Sequence, residues 1–249
     1  MTAFNLVGKP IILLVCAGLL ALPVLSAPAH GIEPGEAAEI SLGGKLYDNH
    51  WLVSGKPPPE DTNPLYPPEV KTTPANTWRC VSCHGWDYSG GDGHLGELSR
   101  SKVFHSLKLS AGKSPERLSE IMRAPGHEKN LRGLSDNQIR TLARFVSAGQ
   151  LNFSAMIVAG KSVGAPLAGK DVFEGACISC HQADGKAYFQ GEDGDRSSLG
   201  WVAINRPAQA LHKIINGVPS ADMLSLRFLP QNRLADLLAY LQTLDDAAE

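Results

Sequence analysis

The sequence predicts an all-α protein made of two small helical domains in tandem. Three observations carry that prediction. A five-residue pattern occurs twice, as Cys80-Val81-Ser82-Cys83-His84 and as Cys177-Ile178-Ser179-Cys180-His181. Downstream of each copy, apolar residues recur at the spacing of one helix face. Between these stretches the chain is broken by clusters of Pro and Gly, the residues that punctuate helices.

The N-terminus is read first, because it sets the compartment. Met1 to Lys9 is short and carries one basic side chain, and Ile11 to Leu22 is an apolar run closed by Pro23 and by Ser26-Ala27-Pro28-Ala29. This is the pattern of a secretory signal over residues 1–29, with Ala27-Pro28-Ala29 as the cleavage site and the periplasm as the destination. A membrane helix needs roughly 20 apolar residues, so no stable membrane insertion is expected after cleavage. Cys16 follows Val15 inside the run and reads as signal-peptide filler. The mature chain of about 220 residues is long enough for two compact domains with a modest core each. It keeps four cysteines, which an exported chain would ordinarily pair as disulfides.

Their spacing argues against disulfides. C-x-x-C-H is the attachment signature of a c-type haem. Two thiols three positions apart on one turn can add to the two vinyl groups of one haem edge, and the adjacent His can swing beneath the ring as proximal ligand. One such motif alone could be half a zinc site or a dithiol pair. Two motifs, each followed by His, in a chain predicted to be exported and with no other cysteine once the signal is removed, predict two covalently bound haem c groups. Cys80, Cys83, Cys177 and Cys180 would attach them, and His84 and His181 would ligate the irons.

Each domain is predicted to have a helix before the motif and another at its far end. Gly169 to Ala176 leads straight into Cys177, and Gly43-Gly44-Lys45-Leu46-Tyr47-Asp48 has the same character about thirty residues before Cys80. The first domain, residues 30–150, has therefore taken an insertion at 52–77. With Pro57-Pro58-Pro59, Pro64, Pro67-Pro68 and Pro74 it should be irregular or polyproline-like, packed by Trp51, Tyr66 and Trp78. At the far end, Ser135 and Gln138 make a capping box, with Leu134 and Ile139 as its staple. Ile139, Leu142, Ala143 and Val146 continue at helical spacing until Gly149, placed to end the helix. The second domain, 167–249, closes with Pro230 and the stripe Leu234, Leu237, Leu238, Leu241. Between the two, 151–166 carries Gly160, Gly164 and Pro166 and reads as a linker; Met156 within it is a weak ligand candidate.

In the second domain, Leu211 to Asn216 reads as a short apolar helix, stopped by Gly217, followed by Pro219 and then Met223. This resembles the class I cytochrome c family, in which a helix, a Gly/Pro loop and a Met follow in that order. The resemblance covers nearly the whole second half and implies that the Met223 thioether is the sixth ligand of the second haem. Leu224 stands where the family usually has Pro. His212 is expected on the helix surface. The first domain runs in parallel, with Pro115 opening a helix, Leu118, Ile121 and Met122 on its apolar face, and Pro125-Gly126 stopping it. His127 then stands where Met would. His84 to His127 is 43 residues and His181 to Met223 is 42, so the two candidates occupy equivalent places, and His127 is assigned to the first iron. Met122 falls at core spacing. His50, His94 and His105 remain as other candidates.

The first half, through Leu46-Tyr47-Asp48, Asn63 to Pro67 and Trp78 to Tyr88, also resembles periplasmic dihaem cytochromes c. That likeness implies an electron carrier or electron-transfer subunit rather than an enzyme, working between a periplasmic donor and acceptor protein. The enzymatic alternatives are a dihaem oxidoreductase of the thiosulfate dehydrogenase kind, which would want a further distal Cys thiolate, and a dihaem peroxidase, which would want an openable haem. Residues 79–150 carry eleven Lys/Arg against seven Asp/Glu, and residues 167–249 seven against eleven, so partners could be steered by opposite charge at the two ends. No basic stripe with interleaved aromatics marks a nucleic-acid surface.

Overall fold

The computed structural model describes Met1 and residues 33–92, 104–187 and 198–244. The expected signal segment, with Cys16, and His94 lie outside those residues. From Ile32 onward the chain forms one compact unit. Its described residues hold nine α-helices and one two-stranded hairpin, so the all-α expectation stands. No described helix is long and apolar enough to cross a membrane.

Helix α1, Pro34–Ser54, starts with Pro at its first position and ends at Gly55, whose φ of 68° suits a residue without a side chain. It kinks at Asn49, whose side-chain oxygen accepts from the Leu52 N–H and restarts the last turn. Residues 55–74 then run irregularly, because the prolines supply no N–H and fix φ. This insertion is pinned: the Asn63 N–H donates to Thr77 Oγ1 at 2.8 Å and Trp78 Nε1 to the Asp61 carbonyl at 2.5 Å. Trp78, 2% exposed, closes the 3₁₀ turn Ala75–Trp78 that feeds α2, Cys80–His84.

Helix α3, Pro115–Arg123, is capped by Ser114, whose hydroxyl accepts from the Arg117 N–H, and α4, Asp136–Ala148, carries the expected capping box at Ser135 and Gln138. On α3 Leu118 is buried and Met122 packs on the core, but Ile121 turns outward. Gly149 does end α4, though not by a left-handed φ: it sits at −91°, and an added Cβ would lie 2.5 Å from Phe145 and 2.7 Å from Ile40. Close approach of α1, not turn geometry, requires glycine there. Helices α5 (Pro166–Ala176), α6 (Ile178–His181), α7 (Leu199–Asn205), α8 (Pro207–Asn216) and α9 (Gln231–Leu241) complete the chain. The stripe Leu234, Leu237, Leu238, Leu241 on α9 is fully buried.

Two helix crossings share one construction. Where α1 meets α4, a Cβ on Gly43 would come within 2.5 Å of Thr141 O and of Phe145 Cβ; where α5 meets α9, one on Gly169 would come within 1.9 Å of Asp236 O. One turn beyond each glycine an aromatic ring meets another, Tyr47 on Phe145 at 5.4 Å and Phe173 on Tyr240 at 5.3 Å. Glycine lets the backbones touch, and the aromatic pair fills the widening gap beside it.

The core is continuous through both crossings, with α8 between them. A Cβ on Gly44 would meet the Asn216 side chain at 2.3 Å, so α1 and α8 lie against each other. The segment 151–166, expected as a linker, is packed into this body. Phe153 and Met156 are buried, and the hairpin of β1 (Ile157–Val158) and β2 (Lys161–Ser162) is tied to α9 by Ser162 Oγ donating to the Ala235 carbonyl at 2.6 Å.

Candidate functional site

The first motif lies on a turn and a half of helix. Gly85 stops it at φ 75°, sending its N–H back to the Val81 carbonyl at 2.8 Å, and Tyr47 donates its O–H to the Gly85 carbonyl at 2.7 Å. Cys80 and Cys83, three positions apart, therefore share one face. Both are free thiols and half-buried. Burial pushes Cys80 up to about 11 and Cys83 up to about 12, the latter helped by its neighbour Cys80.

His84 makes one decisive hydrogen bond, Nδ1 to the His105 carbonyl at 2.8 Å. A carbonyl only accepts, so Nδ1 carries the proton and Nε2 keeps its lone pair. The His84 ring faces the ring of His127, with centroids 6.2 Å apart and planes only 16° from parallel. His127 is exposed on the turn after Pro125-Gly126, where Gly126 takes φ 102°. Asn130, one turn on, donates its side-chain amide to the Trp78 carbonyl at 3.1 Å, fastening the His127 turn to the residue two before Cys80. The structure thus brings His127 beside His84, which shares its helical turn with Cys80 and Cys83. His105, a rival ligand in the sequence, instead contributes its backbone carbonyl. His50 is buried in α1 edge-on to Trp51, and burial lowers it to about 4.

In the second motif, Cys177 ends α5 and starts α6. Cys177 is half-buried, with its thiol pushed up to about 11 by burial, and Cys180 is exposed. His181 is 9% exposed and its pKa is lowered by burial. Met223 is half-buried on the loop after α8, its carbonyl so close to Gly217 that a Cβ there would meet it at 2.7 Å. Met156, 1% exposed, fills the core.

His212 corrects an expectation. It is not on the surface but wholly buried, ringed by Tyr47, Trp86, Tyr88 and Phe145. Its Nε2 lies 3.1 Å from the Gly44 carbonyl and must donate; Nδ1 then accepts from the Tyr88 hydroxyl at 2.9 Å. Burial lowers its pKa to about 4. The signal was available, since His212 falls four residues after Ala208 and three before Ile215, on the apolar stripe of α8.

A second feature went unread. Asp48, 1% exposed, accepts from Arg79 through both its carboxylate and its carbonyl, the latter from Nε at 2.6 Å, and pairs with Lys213 Nζ at 3.2 Å. Burial alone would raise the Asp48 carboxyl, but Lys213 and Arg79 hold it below the ordinary carboxylate range. The residue immediately before the first motif is thereby clamped to α1 and to α8 together.

No family model matches the chain, and no curated protein is significantly similar to it.

Proposed function

We propose that the chain is an exported, periplasmic electron-transfer protein of two class I cytochrome c-like domains, carrying two covalently attached c-type haems. Cys80 and Cys83 would hold one haem with His84 and His127 as iron ligands; Cys177 and Cys180 would hold the other with His181 and Met223. When bound, the haems supply a one-electron iron couple whose potential the ligands and burial set.

One observation carries the reading. The rings of His84 and His127 lie beside each other, with centroids 6.2 Å apart, close enough for both imidazoles to turn a nitrogen to one metal at about 2 Å per metal–nitrogen bond. The tautomer agrees, because Nδ1 of His84 is spent on the His105 carbonyl and Nε2 is left to coordinate. Cys80 and Cys83 lie on one face of the same turn, as addition to one haem edge requires. With His127 and Met223 as further iron ligands, the two haems would suit electron transfer between proteins better than substrate chemistry. The export signal read over 1–29 supplies the compartment.

The experiment is a count of covalent haem. Mature protein, denatured and weighed by mass spectrometry, is expected to exceed its polypeptide mass by two haems, and Cys80→Ala/Cys83→Ala by one. Haem removable from the unmodified protein by acid acetone would overturn the proposal.

A further inference from the structure

The segment between α8 and α9 carries Met223 without regular structure of its own: residues 217–230 are neither helix nor strand, and Ser220, Ala221, Asp222 and Leu224 are exposed. What fixes it lies just beyond Met223. The Leu226 N–H donates to the Ile214 carbonyl at 3.0 Å, and Ser225 donates its hydroxyl to the Ile215 carbonyl at 2.7 Å. That spends the only proton on Ser225 Oγ, so the Ser41 hydroxyl of α1, 2.6 Å away, is the donor to it. Arg227, 5% exposed, sends Nη1 to the Gly149 carbonyl at 3.0 Å and Nη2 to Asn216 Oδ1 at 2.5 Å. Gly149 ends α4 in the first half, and Asn216 ends α8.

Arginine is a costly residue to place there. Both acceptors of the Arg227 guanidinium are neutral oxygens, its Nε is buried without a partner among the described residues, and a buried charge that is not paired loses its hydration. Burial lowers Arg227 to about 10, which leaves it cationic near neutral pH. An apolar side chain of similar size would fill the space without that cost. What arginine adds is a planar fork of donors, which fixes two oxygens at once. We propose that Arg227 and Ser225 are positioning residues for Met223. They hold the segment that bears it against the end of α8, and they do so from the other half, Ser225 through Ser41 of α1 and Arg227 through Gly149 of α4. The proposal rests on the reading of Met223 as a ligand of the second haem. Its consequence is that Met223 is presented only while the two halves are docked, so the second site senses the packing of the first half.

The test compares Arg227→Gln and Ser225→Ala with the unmodified, haem-loaded protein. Three readouts are taken: a redox titration, the sulfur-to-iron absorption band of the oxidised state at the red edge of the visible spectrum, and amide hydrogen exchange of residues 217–230. In Arg227→Gln the band should be lost and the upper wave should fall while the lower wave stays in place, since a Met ligand raises a haem's potential. Exchange at 217–230 should quicken by about tenfold or more, as loss of hydrogen bonds from a charged donor implies. Ser225→Ala changes no charge, so the weaker band and lower upper wave expected there cannot come from the field of a lost cation. A lower melting temperature with the band and upper wave unchanged would make Arg227 merely structural and overturn the proposal. So would unchanged exchange. Should Arg227→Gln not fold, an unchanged band in Ser225→Ala overturns it. Absence of the band from the unmodified protein would instead overturn the reading of Met223 itself, and the proposal with it.

Discussion

His212 shows what one buried side chain contributes and when. In the fold it is neutral, with both nitrogens committed to Gly44 and Tyr88, and its pKa lies near 4 against an ordinary 6.5. The unfolded chain therefore takes up a proton more readily than the folded one. Stability from this residue is complete above pH 6.5 and is lost as pH falls toward 4, by an amount on the order of 3 kcal/mol. His50, lowered to about 4 for the same reason, adds to the loss. Asp48 works at a lower pH: it is held low by its cations, so its stabilisation is present above the ordinary carboxylate value of 3.8 and is lost below it. Urea unfolding at pH 7 and pH 4.5 should show the loss, and His212→Gln, which can still accept from Tyr88 without titrating, should reduce it. An equal pH dependence in that variant would place the proton elsewhere.

At the scale of elements, the two crossings make unequal demands on two glycines. Gly43 and Gly169 are mid-helix, where alanine is ordinarily preferred by about 0.5–1 kcal/mol. Their neighbours forbid it, since the new Cβ would meet backbone oxygen at 2.5 Å and 1.9 Å. Gly169→Ala should destabilise by at least about 1–3 kcal/mol, the range for overpacking a close-packed contact, and Gly43→Ala by a similar or smaller amount. Gly175, on the same helix as Gly169, meets nothing within 4 Å, so Gly175→Ala should be neutral or slightly stabilising. Thermal unfolding of the three variants checks the order, and a Gly169→Ala protein as stable as Gly175→Ala would refute the crossing as the reason for the glycine.

For the whole molecule, the proposed ligands imply a direction. A thioether ligand raises the potential of a haem relative to a second imidazole, so the His84/His127 site is expected to be the lower of the two. Electrons would then enter at the first motif and leave from the second. His127→Met should raise the lower wave of a redox titration and leave the upper nearly in place. An unchanged titration would sink both the His127 assignment and the direction. The clamp of Asp48 on Arg79 and Lys213 joins the first motif to the helix before the Met223 loop, and the continuous core around α8 joins the two halves by packing as well.

Much of this was legible in the sequence because it is local. Cys80 and Cys83 share a face because they are three residues apart in a helical turn; Ser135 caps α4 because its hydroxyl reaches an N–H three residues on; Gly217 stops α8 at φ 80°. Spacing alone dictates such contacts, and so the helices and both motifs could be read from it. The His84–His127 facing pair, the carbonyl of His105 as partner of His84, and the Asp48 clamp join residues from about 20 to 165 positions apart. Which of several histidines meets His84 depends on how α3 and its following turn dock, and nothing in the spacing of His50 or His105 settles that. His212 was readable as a stripe residue, but its hydrogen bonds to Gly44 and Tyr88 required a helix of one half to be driven against a helix of the other. That docking is the work of apolar burial, which is non-directional. The sequence determined which faces must be covered, and only the tertiary packing decided by what.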